Sequence, residues 1–136
     1  MEDMNIAEGG EHEELAIDYQ CLEIARLNEV LKRHGIADKK LRQEICSEYI
    51  FDNSYFLDAG WFKREDKQLY PVICFAEREV NLQGNLGDIQ ILHVPTQDYE
   101  LHDSTFGNID WYFEEHNDDA SEIETGSFQQ SDSSEE

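Results

Sequence analysis

Residues 14–50 read ELAIDYQCLEIARLNEVLKRHGIADKKLRQEICSEYI, and two helices with a glycine between them are written into that stretch. Ile17, Cys21, Ile24, Leu27 and Leu31 recur at three- and four-residue steps, the period that lines one face of a helix. The spacing predicts a first helix from about Glu14 to His34. Lys32, Arg33 and His34 fall in its last turn, where cations meet the negative end of the helix dipole, and Gly35 suits the left-handed cap. Asp38 is a good N-cap for a second helix running to about Ile50. Leu41, Ile45 and Tyr49 mark the face expected to be buried, with Cys46 beside them. The short link Gly35-Ile36-Ala37 makes the pair an αα-hairpin or a helix-turn-helix.

Beyond Asp52-Asn53-Ser54, read as a turn, the character changes. Tyr55–Phe62 and Leu69–Glu77 are rich in aromatic and branched residues and flank a polar stretch at 63–68, which predicts a β-hairpin. Pro71 puts the start of its second strand on an edge or at a bulge. A turn region at 81–88 leads to a third strand, Ile89–Val94, closed by Pro95. The segment Phe106–His116 fits a helix capped by Ser104 that buries Phe106, Ile109 and Phe113 and turns Trp111, Glu114 and Glu115 outward. It also fits a strand, and the helix is the reading preferred. The fold class expected is therefore α+β: an N-terminal helix pair packed on a small antiparallel sheet of three or more strands, then a final helix.

The chain of 136 residues carries 10 Lys plus Arg against 32 Asp plus Glu, a net charge of −22. Residues 1–14 hold six acids and residues 117–136 hold seven, with no Lys or Arg in either segment. The 19 acids and 10 bases that remain give residues 15–116 a net charge of −9. Three segments follow: a flexible acidic N-terminus at 1–14, one α+β domain at 15–116, and a disordered acidic tail at 117–136. The start of the chain has neither the basic nor the apolar region of a signal peptide, and the longest apolar run, Val72–Ala76, is far short of a membrane span. Cys21, Cys46 and Cys74 form no CxxC pair and read as buried, reduced thiols. A cytoplasmic protein without membrane contact is expected.

After Arg78 there is no Lys or Arg, and eight acids lie between Asp98 and Asp119 among Tyr99, Phe106, Trp111, Tyr112 and Phe113. Such a surface suits a basic protein partner: carboxylates steer the encounter and an exposed aromatic anchors it. The residues expected to do this are Asp110, Trp111, Glu114, Glu115, Asp118 and Asp119. A solvated surface over a core containing the aromatics accounts for the same composition. Of opposite sign, Lys32, Arg33, Lys39, Lys40 and Arg42 crowd one helix–helix turn, and as a nucleic-acid site they define the alternative reading, a helix-turn-helix regulator restrained by its acidic tail. Nucleic acid is nevertheless an unfavourable ligand for a body of this charge. No GxSxG or HExxH occurs, and no Cys or Ser has a base partner by spacing. His102, Asp103, Asp110, Glu114 and His116 are acceptable metal ligands but lack a recognised spacing, and His93, in an apolar strand, reads as a hydrogen-bonded core residue. A non-enzymatic interaction protein of immunity-protein, inhibitor or DNA-mimic type, with neither cofactor nor metal, is the function expected.

Overall fold

The computed structural model describes residues 5–8, 10–78, 89–96, 100–116 and 125–126. Helix α1 (Gly10–Arg33) and helix α2 (Lys39–Ala59) form the expected N-terminal pair. Their junction is built as the sequence implies. Gly35 takes φ 87°, its N–H bonds Lys32 O at 3.0 Å, and the N–H of Ile36 reaches back to Leu31 O at 3.1 Å. Two of the carbonyls that a helix end leaves unpaired are thereby satisfied. Asp38 Oδ1 then accepts the N–H of Lys40 at 3.0 Å and starts α2.

Helix α2 runs nine residues beyond the expected end at Ile50, so Asp52-Asn53-Ser54 is not a turn and Tyr55–Ala59 is not strand. Turn-forming residues stay helical here because tertiary contacts occupy their polar groups. Ser54, fully buried, accepts from Gln20 Nε2 at 2.8 Å, and Asn53 donates to Glu23. The helix stops at Gly60, whose N–H bonds Phe56 O at 2.7 Å. A Cβ there would lie 2.1 Å from the Phe56 ring, so a larger residue would force that partly exposed ring to turn aside.

The buried face of each helix is rotated from the apolar stripe. Helix α1 buries His12, Ala16, Gln20, Ile24, Ala25 and Asn28, while Leu27 and Leu31 pack against the edge of the core. Helix α2 buries Arg42, Cys46, Ile50 and Ser54, and leaves Leu41 and Tyr49 exposed, contrary to expectation. The third wall is α3 (Thr105–Asp110), entered through a 3-10 turn at Leu101–Ser104 and continued by a π-helical turn at Trp111–Glu115. The helical alternative for this segment is therefore the one adopted, although the Ser104 side chain makes no capping bond. Thr105, Ile109, Tyr112 and Phe113 fall at i, i+4, i+7 and i+8 and make one buried face, so Tyr112 joins Phe113 in the core and Phe106 is left outside. The core thus lies among three helices: Ile24, Ala25, Cys46, Ile50, Ile109, Tyr112 and Phe113.

Strands β4 (Phe75–Arg78) and β5 (Ile89–Val94) pair antiparallel, as expected, but β1 (Asn5–Glu8) adds to the other edge of β5 in parallel, giving a mixed sheet of order β1-β5-β4. The segment expected to be flexible at 1–14 therefore contributes a strand and the first turn of α1. The sheet meets the early turns of α1: His12 Nε2–H donates to Ile73 O at 2.9 Å, and the His12 and Tyr19 rings pack on Phe75. His93, buried as expected, donates from Nε2 to Glu77 at 2.6 Å and ties β5 to β4. The expected hairpin of Tyr55–Phe62 with Leu69–Glu77 does not form; a shorter one, β2 (Phe62–Arg64) and β3 (Lys67–Leu69), is built instead from the polar stretch expected to separate those strands, pairs as a two-stranded unit and turns at Glu65-Asp66. The turn region expected at 81–88 lies outside the described residues. No helix among the described residues is long and apolar enough to cross a membrane.

One amide joins the three helices. Gln20 donates to Ser54 Oγ at 2.8 Å and to Thr105 Oγ1 at 3.0 Å, and its Oε1 accepts from Asn108 at 2.6 Å. Gln20→Met keeps the volume but strips partners from two buried hydroxyls, so stability is expected to fall by about 2–4 kcal/mol in urea unfolding. Leu41→Ala, on the exposed face of α2, is expected to change it by no more than about 0.5 kcal/mol. Similar losses for both would show that the helix faces are assigned wrongly.

Candidate functional site

Helix α2 turns a second face to solvent, beside its buried one. Lys39, Lys40, Gln43, Glu44, Ser47, Glu48, Phe51 and Asp52 line one wall of an open groove, and Phe106 and Glu114 form the other. Its volume is about 1150 Å³. Glu44, Glu48 and Asp52 stand on successive turns, about 6 Å apart along the axis. Like charges at this spacing each cost α2 a few tenths of a kcal/mol. Glu114 accepts from Gln43 Nε2 at 3.2 Å across the groove. The floor is apolar: the Phe51 and Phe106 rings stack with centroids 5.1 Å apart, and Phe106 is 55% exposed. Lys39 and Lys40 close the end nearest the start of α2.

The π turn positions the second wall. Its defining bond, His116 N–H to Trp111 O at 2.7 Å, spans five residues and turns Glu114 toward α2 while Tyr112 and Phe113 point inward. Trp111 is partly exposed and stacks on the His116 ring at 4.6 Å. Of the residues expected to bind a basic partner, Glu114 lines the groove, Asp110, Trp111 and Glu115 are exposed on the same short segment, and Asp118 and Asp119 lie outside the described residues. The sequence reading missed Glu44, Glu48, Asp52, Phe51 and Phe106. The i, i+4, i+8 acids were a usable signal, lost because the helix was ended too early.

The cationic turn does not form one patch. Arg42 is only 6% exposed: its Nε donates to Asn28 Oδ1 at 2.8 Å, and its Nη1 donates to the carbonyls of Ile36 and Ala37. It holds the α1–α2 link together from inside, so its assignment to a nucleic-acid surface is corrected. Lys32 pairs with Glu29 at 3.7 Å, and Lys39 and Lys40 belong to the groove. Arg33 lies on the far side, in a second groove between α1 and α2. Thr125 and Gly126, the described residues of the segment expected to be a disordered tail, lie against that second groove; the rest of 117–136 is outside the described residues.

Asp58, near the end of α2, accepts the N–H groups of Leu101 and His102 and the His102 Nδ1–H at 2.6 Å. The carboxylate fixes the proton on Nδ1 and leaves Nε2 facing Asp103 at 3.5 Å and Glu100 at 3.9 Å. Donor atoms of Glu100, His102 and Asp103 lie within 4.8 Å of one another, as do those of Glu11, Glu77 and His93. Either set has the donor chemistry to take a divalent cation. Burial raises the pKa of every thiol, Cys46 to about 12, which works against thiolate chemistry. Cys46 is buried as expected, whereas Cys21 is half-buried and Cys74 is exposed. The chain matches no known family model, curated protein or solved structure.

Glu23, on the wall of the second groove, has a buried Oε1 without a hydrogen-bond partner among the described residues, and desolvation raises its pKa above the ordinary 4.5. A carboxyl raised in this way costs stability once ionised, so the cost is absent below pH 4.5 and grows as pH rises through the folded pKa. Glu23→Gln is therefore expected to raise the melting midpoint by a few degrees at neutral pH, with the gain vanishing toward acid pH in calorimetry. A gain that does not depend on pH would refute the assignment.

Proposed function

We propose that this chain is a small, non-enzymatic, acidic interaction protein that binds and thereby neutralises or regulates a basic protein, and that the α2–α3 groove is its docking face. The observation that carries this reading is the groove itself, where four carboxylates surround a stacked, partly exposed phenylalanine pair. Carboxylates attract lysine and arginine over a Debye length of about 8 Å at physiological salt, and an exposed aromatic face takes a guanidinium by cation–π contact. Trp111, Asp110 and Glu115 extend the same character along the rim. Immunity proteins, protein inhibitors and DNA mimics work on this principle of charge opposition. The raised thiol pKa values disfavour nucleophilic cysteine chemistry, in keeping with a binding role. The nucleic-acid alternative loses Arg42 from its binding set, and carboxylates surround the two lysines it retains at the groove.

The test is titration of the full chain with a tryptophan-labelled, arginine-rich peptide in low salt and again near 1 M, where the Debye length is about 3 Å. Binding is expected to weaken steeply with salt. Replacing Glu44, Glu48 and Asp52 by Gln, Gln and Asn is expected to cost at least about tenfold in affinity, or 1.4 kcal/mol, and Phe106→Ala several-fold. Undiminished binding by the triple variant would remove the groove from the proposal.

A further inference from the structure

The hairpin β2–β3 is the least supported element of the fold. Among the described residues its strands pair only with each other, every residue from Trp61 to Tyr70 is exposed, and an isolated two-stranded hairpin is marginal in water. Yet it displays Trp61, Phe62 and Tyr70 at 48%, 49% and 59% exposure. Clustered apolar exposure of this kind marks a surface that is covered in use.

The register sets the order of its side chains. Phe62 faces Leu69 and Arg64 faces Lys67, and alternation along the strands puts all four on one side. Glu65 and Asp66 form the turn beyond them. From base to tip the arm therefore reads apolar pair, cationic pair, acidic pair. From the Asp52 end toward the start of α2, the groove reads in the opposite charge sequence: Phe51 with Phe106, then Glu48 and Glu44, then Lys39 and Lys40. The lengths are compatible. Phe51 to Lys39 spans about 18 Å of helix axis, and the arm extends about 10 Å from Phe62 to its tip, leaving a gap that extended Glu and Lys side chains bridge.

We propose that the arm of one copy docks in the groove of a second copy, Phe62 and Leu69 on the Phe51–Phe106 pair, Arg64 and Lys67 against Glu48 and Glu44, and the acidic tip at Lys39 and Lys40. Each chain carries one arm and one groove, so reciprocal docking closes a two-fold dimer, whereas one-way docking would propagate. This rests on the groove accepting cationic, aromatic-bearing segments, as proposed above, and it adds that the protein occupies its own docking face until a basic partner displaces it.

Sedimentation equilibrium of the full chain in physiological salt, from micromolar to millimolar concentration, tests it. The wild type is expected to dimerise, and Phe62→Ala to weaken the dimer several-fold. Arg64→Glu with Lys67→Glu, and separately Glu44→Lys with Glu48→Lys, are each expected to leave monomers with unchanged circular dichroism. An equimolar mixture of the two charge-reversed proteins is expected to re-form dimers, because both arm–groove contacts become complementary again. A wild type that stays monomeric, or a mixture that stays monomeric, overturns the proposal. Loss of dimer on reversing the arm but not the groove overturns it in favour of arm-to-arm pairing. The arginine-rich peptide separates the two ideas: a monomeric wild type that binds it in the groove keeps the docking face and loses self-association, while a chain that does not bind it loses the docking face.

Discussion

The arrangement of the three helices depends on a single buried amide. Gln20 has no exposed surface, and its two N–H donors and its oxygen are shared among Ser54 on α2 and Thr105 and Asn108 on α3. A carboxamide in an apolar core is costly unless satisfied, and a satisfied one admits very few relative positions of the groups that satisfy it. Apolar packing of Ile24, Ile50, Ile109 and Phe113 would tolerate some sliding of the helices. The amide does not, because a shift of one residue in any helix leaves a buried donor or hydroxyl without its partner. Arg42 repeats the device at the other end, fixing the α1–α2 link through Asn28 and two loop carbonyls.

These polar locks also explain how far the sequence was legible. The features written in local chemistry were readable: the glycine cap after His34, the Asp38 cap, the paired helices, the β4–β5 region, and the buried, hydrogen-bonded His93. The features set by tertiary contact were not. Asp52-Asn53-Ser54 has the composition of a turn, and only the partners Gln20 and Glu23 keep it helical. The core face of α1 runs through Gln20 and Asn28, polar residues that an apolar stripe passes over, so the expected face was rotated by part of a turn. Phe106 lies outside and Tyr112 inside because the buried face runs through Thr105, Ile109, Tyr112 and Phe113, a regular helix face whose first member is polar and so escapes an apolar pattern.

The candidate site inherits both outcomes. The acidic, aromatic segment from Asp110 to Glu115 stood out by composition, and the structure puts Glu114 on a groove wall. The opposite wall could not be found while α2 was thought to end at Ile50, since Phe51 and Asp52 then fell in a turn. The cationic cluster fared differently. Five basic residues adjacent in sequence look like one patch, yet helix geometry sends Arg42 inward, Arg33 to the far side, and Lys39 with Lys40 to the groove. Adjacency in sequence was a poor guide to a shared surface, because Arg42 lies two residues from Lys40 yet points to the other side of α2, and Arg33 belongs to a different helix.

Under the docking proposal, Lys39 and Lys40 would gain a role that local chemistry denies them. Cations in the first turn of a helix face its positive dipole end at a cost of about 0.3–1 kcal/mol each, and at the start of α2 only the Asp38 cap offsets it, since the first turn itself holds no acid. Four positions later begins a run of carboxylates whose mutual repulsion adds further cost. Taken alone, both features weaken α2, and reversing their order would stabilise it, with acids at the start and bases toward the end. The helix therefore carries its charges in the unfavourable direction along the very face that lines the groove. A charge gradient of this kind is directional, and under the docking proposal it would distinguish a segment docked one way round from the same segment docked the other way, which uniform acidity would not do.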